Sequence, residues 1–290
     1  MHARWTSLLP VFVMAVVLAL PLTASAGSGA TQTVVNHGGW WLQCAYSHSL
    51  KDDPILLHAQ SGASLLNDFF ANGTTNANST PNSLVGQQTT CTTKADTAAY
   101  FAPAAFVGGT QALPQFSRSY YQSGNFLAVQ AYPFGLQLTA GDPSAKGPQG
   151  ISVIAWNCGA NSRFNSPLKT APYDCTPFVP FGSSGVVGHV NFPQCWDGTP
   201  PTGGNDSSHV AYVTSPGVCP AGFPHPLPSL SFRVHFGVVN PLNKDGSIAL
   251  SLSSGPYFTM HASFINAWDE NALTTLVNSC VNAQVSCGRQ

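Results

Sequence analysis

Charge is what this sequence has least of. Only 7% of its 290 residues are charged, ten Lys or Arg against eleven Asp or Glu, for a net charge of −1; the average is about 25%. Glu270 is the one glutamate. Lys and Arg never cluster, which removes nucleic acid as a partner, and no basic amphipathic stretch suits a membrane surface. Cys-x-x-Cys is absent, which argues against a zinc site. Gly-x-Ser-x-Gly, a phosphate loop, a dinucleotide fingerprint and His-Glu-x-x-His are missing too. Serine hydrolases, nucleotide enzymes and zincin proteases lose their support with them. Beyond the N-terminus no apolar run approaches the roughly 20 residues a spanning helix needs.

What is present begins with an export signal. One Arg and no acid precede an apolar run, Leu8–Leu22, broken by Pro10 and Pro21 and followed by Ala24-Ser25-Ala26. This reads as a signal peptide over 1–26, with 27–36 a flexible segment and 37–290 one domain. The expectation is a secreted protein, extracellular or periplasmic, with no membrane contact after cleavage, and a monomer. Eight cysteines remain: Cys44, Cys91, Cys158, Cys175, Cys195, Cys219, Cys280 and Cys287. An even count in an exported chain implies disulfides. Eight cysteines allow 105 pairings; local pairing (44–91, 158–175, 195–219, 280–287) is the expectation.

Short apolar runs alternate with Gly- and Pro-rich connections. Strands are expected within Gly39–Tyr46, Phe126–Tyr132, Gly150–Trp156, Val186–Phe192, His209–Val213, Leu230–Val238 and Ile248–Leu252, some with the period of two that marks a half-buried strand. Ser61–Phe70 has helical spacing at Leu65, Leu66, Phe69 and Phe70, and Ala71–Thr80 reads as an exposed loop. Asn72, Asn78 and Asn205 head sequences of the N-glycosylation form. Asp269-Glu270 followed by Ala272, Leu273, Leu276 and Val277 predicts a short C-terminal helix. The fold class is therefore mainly β: a single-domain β-sandwich or jelly-roll-like structure with long disulfide-stapled loops.

Few residues can carry chemistry. Asp142, Asp174 and Asp245 stand among Pro and Gly and read as turn formers. Asp53 and Asp68 have richer surroundings. Asp197 lies in Phe192-Pro-Gln-Cys-Trp-Asp-Gly198, a rigid bend in which Trp196 could stack on a sugar ring. His48, His209 and His261 sit in polar-aromatic segments. The candidate catalytic residues are Asp197, His209, His261, Asp68 and Asp53; the candidate substrate-binding residues are Trp196, Trp268, His48 and Asn67. No metal site and no cofactor are expected.

Five segments together resemble the secreted DUF1996 family, a domain of unknown function: Cys44-Ala-Tyr-Ser-His-Ser-Leu-Lys-Asp-Asp-Pro-Ile55, Gly62-Ala-Ser-Leu-Leu-Asn-Asp-Phe-Phe70, Phe192–Gly198, Ser208-His-Val-Ala-Tyr212 and His261-Ala-Ser-Phe-Ile-Asn-Ala-Trp268. The resemblance implies a His-x-His pair where this chain has Leu65-Leu-Asn67, and a His-x-Asp where it has His261-Ala-Ser263. From the acid, His and Trp motifs two functions lead the expectations, with a third behind them. One is a hydrolase-like enzyme acting on polysaccharide or cell-wall polymer. The other is a non-catalytic extracellular glycan-binding protein whose site has degenerated. A metal-binding protein using His209 and His261 is a third.

Overall fold

The structure is a computed structural model that describes residue 2 and residues 38–159, 166–201 and 208–290. The chain divides into two compact units, Met1–Thr33 and Val34–Gln290. The signal peptide, the flexible segment and Asn205 lie outside the described residues.

Seventeen strands follow in chain order: β1 (Gly39–Leu50), β2 (Asn67–Ala71), β3 (Ala99–Pro103), β4 (Ala105–Val107), β5 (Thr110–Ala112), β6 (Phe116–Gln122), β7 (Gln137–Gly141), β8 (Ile154–Asn157), β9 (Val187–Asn191), β10 (Cys195–Trp196), β11 (Val210–Ala211), β12 (His225–Pro226), β13 (Ser229–His235), β14 (Leu250–Leu252), β15 (Gly255–Pro256), β16 (His261–Ile265) and β17 (Ser286–Arg289). Ten form one sheet in the order β7-β16-β3-β2-β1-β6-β13-β9-β8, with β17 added beside β1. All its pairings are antiparallel except β1 with β17. The sheet curls until β7, at one end, touches β9 near the other. β11-β10-β12 and β15-β14-β4-β5 are smaller sheets.

Alternation explains which strands face water. In β6 Ser117, Ser119 and Tyr121 point inward while Phe116, Arg118, Tyr120 and Gln122 point out; in β13 Leu230, Phe232 and Val234 point inward. Period-two burial is the mark of a sheet with one solvated face. The inward side chains join a core built around Trp40, Tyr100, Tyr121, Phe232, Phe264 and Trp268. β2 and β3 are buried along their whole length, because the segment between β2 and β3 and the one before β2 cover their second face. Ile55, Phe69, Leu84, Phe101 and Ile265 make a second core cluster there.

That cover overturns two sequence expectations. Ser61–Phe70 ends in β2 rather than a helix: a strand buried on both faces loses its alternation, and its apolar run then resembles helical spacing. Ala71–Thr80 is not an exposed loop. Asn72 is fully buried and donates from Nδ2 to the Leu84 and Thr97 carbonyls, so it cannot accept a glycan in the folded protein. Phe126–Tyr132 forms no strand; Phe126, Val129 and Tyr132 are buried from an irregular segment, held by Val129 N–H on Asn282 Oδ1 and Gln130 N–H on the Pro226 carbonyl.

The four local disulfides are present: Cys44–Cys91, Cys158–Cys175, Cys195–Cys219 and Cys280–Cys287. The C-terminal helix α2, the second helix after α1 (Pro81–Leu84), spans Glu270–Leu276. Asp269 caps it by accepting from Ala272 N–H at 2.8 Å, and one π-helical turn, Val277–Asn282, continues it.

Candidate functional site

Three segments meet electrostatically at His261, the first residue of β16. The turn after β1 supplies Asp53, which is 6% exposed. Its Oδ1 accepts from the backbone N–H groups of Ile55 and Leu56, both at 2.8 Å, as the first acid of a turn does. Asp52 fixes the same turn from the other side, accepting from Gly62 N–H at 2.8 Å and Ala77 N–H at 3.0 Å. The second segment is the end of β7, where Gly141 pairs with His261 and Asp142 follows. Gln149 ties that loop to the histidine strand: Asp142 N–H donates to Gln149 Oε1 at 2.9 Å, and Gln149 Nε2 donates to the Met260 carbonyl at 2.8 Å.

The protonation states follow from these contacts. His261 Nδ1 lies 2.9 Å from the Thr259 carbonyl. A carbonyl only accepts, so the ring proton is on Nδ1 and Nε2 carries the lone pair. Burial lowers the His261 pKa; the Thr259 hydrogen bond and the charges of Asp53 and Asp142 oppose this without cancelling it. The imidazole is therefore neutral at neutral pH. The two carboxyls shift in opposite directions. Burial raises Asp53, against the Leu56 and Ile55 hydrogen bonds and the His261 charge. Hydrogen bonds from the Ser144 side chain and backbone lower Asp142, which is exposed. Both carboxyl charges act on the imidazole through space, Asp53 from the turn after β1 and Asp142 from the end of β7.

The other candidate residues fall elsewhere. Asn67 is buried and donates from Nδ2 to the Asp52 carbonyl at 3.0 Å, so it braces the acidic turn. His48 is stacked on Phe69 at 5.0 Å and bonded to Ser47 Oγ and the Thr75 carbonyl; both ring nitrogens serve the cover of the second core. Asp68 is 1% exposed. Its Oδ1 accepts from Ser49 Oγ at 2.6 Å and Gln111 Nε2 at 3.3 Å, while Oδ2 has no partner. Desolvation lifts its pKa to about 6 against those two hydrogen bonds.

Asp197 and His209 do form a pair, His209 Nδ1 to Asp197 Oδ2 at 2.8 Å. Burial alone would raise Asp197, but the bonds from His209 and Thr199 outweigh it and hold the carboxyl below its usual range. The pair sits at the three-stranded sheet, where Trp196 pairs with Val210 and His225. Trp196 is half-buried, with its ring 5.6 Å from the His225 ring and its Nε1 donating to the Thr199 carbonyl at 3.0 Å. Asp197 follows β10 and His209 precedes β11 at the small sheet, Asp68 and His261 lie in β2 and β16 of the large one, and Asp53 stands in the turn after β1. Among the described residues the grouping nearest to a metal site is Cys44, Cys91 and Asp96, and its sulfurs are joined as a disulfide.

Trp268 is the clearest correction. It is fully buried, set edge-on to Trp40 and Tyr121, and cannot stack on a sugar. Its Nε1 donates to Tyr121 Oη at 3.2 Å, Tyr121 meets Tyr100, and Tyr100 donates to Asp96 Oδ2 at 2.8 Å. Asp96 is the buried acceptor that ends this relay. Asp142 and Gln149 are the site residues that sequence reasoning missed; Asp142 was set aside as a turn former, and it does form one through Ser144.

The class of protein is a mainly-β, disulfide-stapled domain in which the charges of Asp53 and Asp142 act on a buried histidine at the start of β16. The chain belongs to the family described as Domain of unknown function (DUF1996), whose model matches residues 53–268. That span contains Asp53, Asp142 and His261. No curated protein and no solved structure gives a significant match.

Proposed function

We propose that the protein is a secreted acid–base enzyme that hydrolyses polysaccharide or another cell-wall polymer, with Asp53, Asp142 and His261 as its working groups. The observation that supports this reading is the position of His261, paired in register with Gly141 beside Asp142 and with its Nδ1 proton held by the Thr259 carbonyl, so that Nε2 is left as a base. Asp53 gives its proton to the departing oxygen of the cleaved bond. His261 Nε2 takes a proton from the attacking water, and the Asp142 carboxylate stabilises the imidazolium that forms. The four disulfides suit an oxidising compartment. No helix among the described residues is long and apolar enough to cross a membrane.

The test is product analysis by mass spectrometry after incubating the mature protein with a panel of polysaccharides. Asp53→Asn and His261→Gln are each expected to lower turnover about 10²–10⁴-fold while the melting temperature holds. Undiminished turnover in both variants would overturn the assignment. No cleavage by the wild type on any polymer would overturn the enzyme reading itself.

A second reading, glycan binding without cleavage, is favoured by one observation. The resemblance implies His and Asp at the positions of Asn67 and Ser263, and here both side chains are sealed in the sheet, 3% exposed. Retention of the wild type on a polymer it does not cut is the outcome expected from that reading.

A further inference from the structure

The outward face of the large sheet carries a positive charge with nothing negative opposite it. Arg118 on β6 and Arg233 on β13 are direct cross-strand partners, a like-charge pair that repels. Each guanidinium lies over an aromatic ring, Arg233 3.9 Å from Tyr120 and Arg118 5.1 Å from Trp41. Arg118 Nε donates to Gln43 Oε1 at 3.2 Å, whereas Arg233 Nε is buried without a hydrogen-bond partner. Among the described residues the one ion pair is His209 with Asp197, and no carboxylate pairs with either arginine. A guanidinium half-withdrawn from water and lacking a counter-charge is costly to hold.

Beside Arg233 lies a polar cavity of ≈ 240 Å³, whose walls include Gln194, Asn191, Ser231, Ser152 and Tyr212. The walls are braced: Tyr212 Oη donates to the Asn191 carbonyl at 2.8 Å, and Asn191 Nδ2 to the Ser152 carbonyl at 2.9 Å. One group is not used internally. Gln194 is only 9% exposed, yet its Oε1 accepts nothing. That oxygen is also closed to a water-sized group, so the cavity meets a ligand through its other walls. The volume lies below the roughly 300–1,000 Å³ of drug-sized sites, so it suits one sugar ring of a chain rather than a long segment.

We infer that this cavity binds a carboxylate-bearing sugar residue, a uronic acid unit of a polysaccharide, with the carboxylate against the Arg233 guanidinium. The planar guanidinium matches a carboxylate through two parallel hydrogen bonds. The hydroxyls meet the Ser231 and Ser152 side of the cavity. Asp53 and His261 take no part in this contact, so it does not depend on cleavage.

Calorimetric titration of the mature protein with short oligosaccharides of galacturonate and glucuronate, against neutral oligosaccharides of equal length, tests the inference. Uronate oligomers are expected to bind at least about tenfold tighter than neutral ones, with affinity falling as salt rises. Arg233→Gln is expected to remove that preference. Gln194→Glu supplies a carboxylate beside Arg233; it should abolish uronate binding while raising the melting temperature, and it serves if Arg233→Gln does not fold. Equal affinity for charged and neutral oligomers, or full uronate binding by Gln194→Glu, would overturn the site. The same titration in Asp53→Asn separates the two proposals: uronate binding there stands or falls independently of turnover.

Discussion

Asp68 is 1% exposed, accepts from Ser49 and Gln111 on one oxygen, and has no donor on the other. Its pKa, lifted by burial to about 6 from 3.8, links it to stability. Between those two values the native carboxyl holds a proton that the unfolded one has released. Native protein then binds more protons, so stability falls as pH rises through that window. Two pKa units correspond to on the order of 3 kcal/mol. Asp68→Asn keeps an acceptor for Ser49 and removes the charge. In urea denaturation the stability of the wild type relative to Asp68→Asn should therefore decline from pH 4 to above pH 6, against a background in which buried His189, His235 and His261, with lowered pKa values, favour higher pH in both proteins. A difference that does not change with pH would show that Asp68 titrates normally. Asp96, lifted by burial to about 7, and Asp53, also raised by burial, add declines that wild type and variant share. Little of this was legible beforehand. Asp53 and His261 stood out because polar groups amid aromatic residues are rare in so uncharged a chain. Asp142 did not, because a Gly-Asp-Pro sequence is explained by its turn, and only the register that sets Gly141 beside His261 reveals a second role.

At the scale of the element, the site depends on how closely β7 approaches β16. Gly141 has φ +84°, and a Cβ there would come within 2.4 Å of the Met260 carbonyl oxygen and 2.8 Å of His261 Cα. Both are backbone atoms and cannot swing aside. Gly141→Ala must push β16 away at the residue that carries the imidazole. The expected result is a loss of stability of about 2–4 kcal/mol. Turnover, on the hydrolase reading, should fall more than the folded fraction does. Wild-type melting and turnover together would mean that the strands part freely and that His261 is not held by this contact. Alternation made β13 readable from sequence, since it is polar on one face, whereas β1 and β9 were readable as short apolar runs. It failed for β2, whose five residues are all buried, because a strand with two covered faces has no period of two to detect. Trp268 was misplaced for a related reason: an aromatic residue just ahead of a helix cap looks the same whether it faces a ligand or, as here, closes a buried relay to Asp96.

Across the whole molecule, the curled sheet supplies the core while the disulfides restrain the long connections that sheet strands alone do not hold. Local pairing of cysteines was readable because sequence neighbours pair, around Gly- and Pro-rich stretches for 158–175 and 195–219; the sheet order was not, since β16 inserts between β3 and β7 from far along the chain. The four bridges close loops of very different length, with sequence separations of 47, 17, 24 and 7 residues. In the chain-entropy account a cross-link stabilises by restricting the unfolded chain, and more so for a longer loop. The Cys44–Cys91 bridge should then contribute about 4 kcal/mol and Cys280–Cys287 about 2.5 kcal/mol. Position adds to the contrast. Cys44 and Cys91 are buried and join β1 to the cover over β2, whereas Cys287 is half-buried on the edge strand β17. Replacing both cysteines of a pair by alanine and measuring urea unfolding checks the order: the 44/91 variant should lose clearly more stability than the 280/287 variant. If the short C-terminal bridge proved the costlier one to remove, native packing of α2 and β17 rather than unfolded-chain entropy would set the stability these links provide.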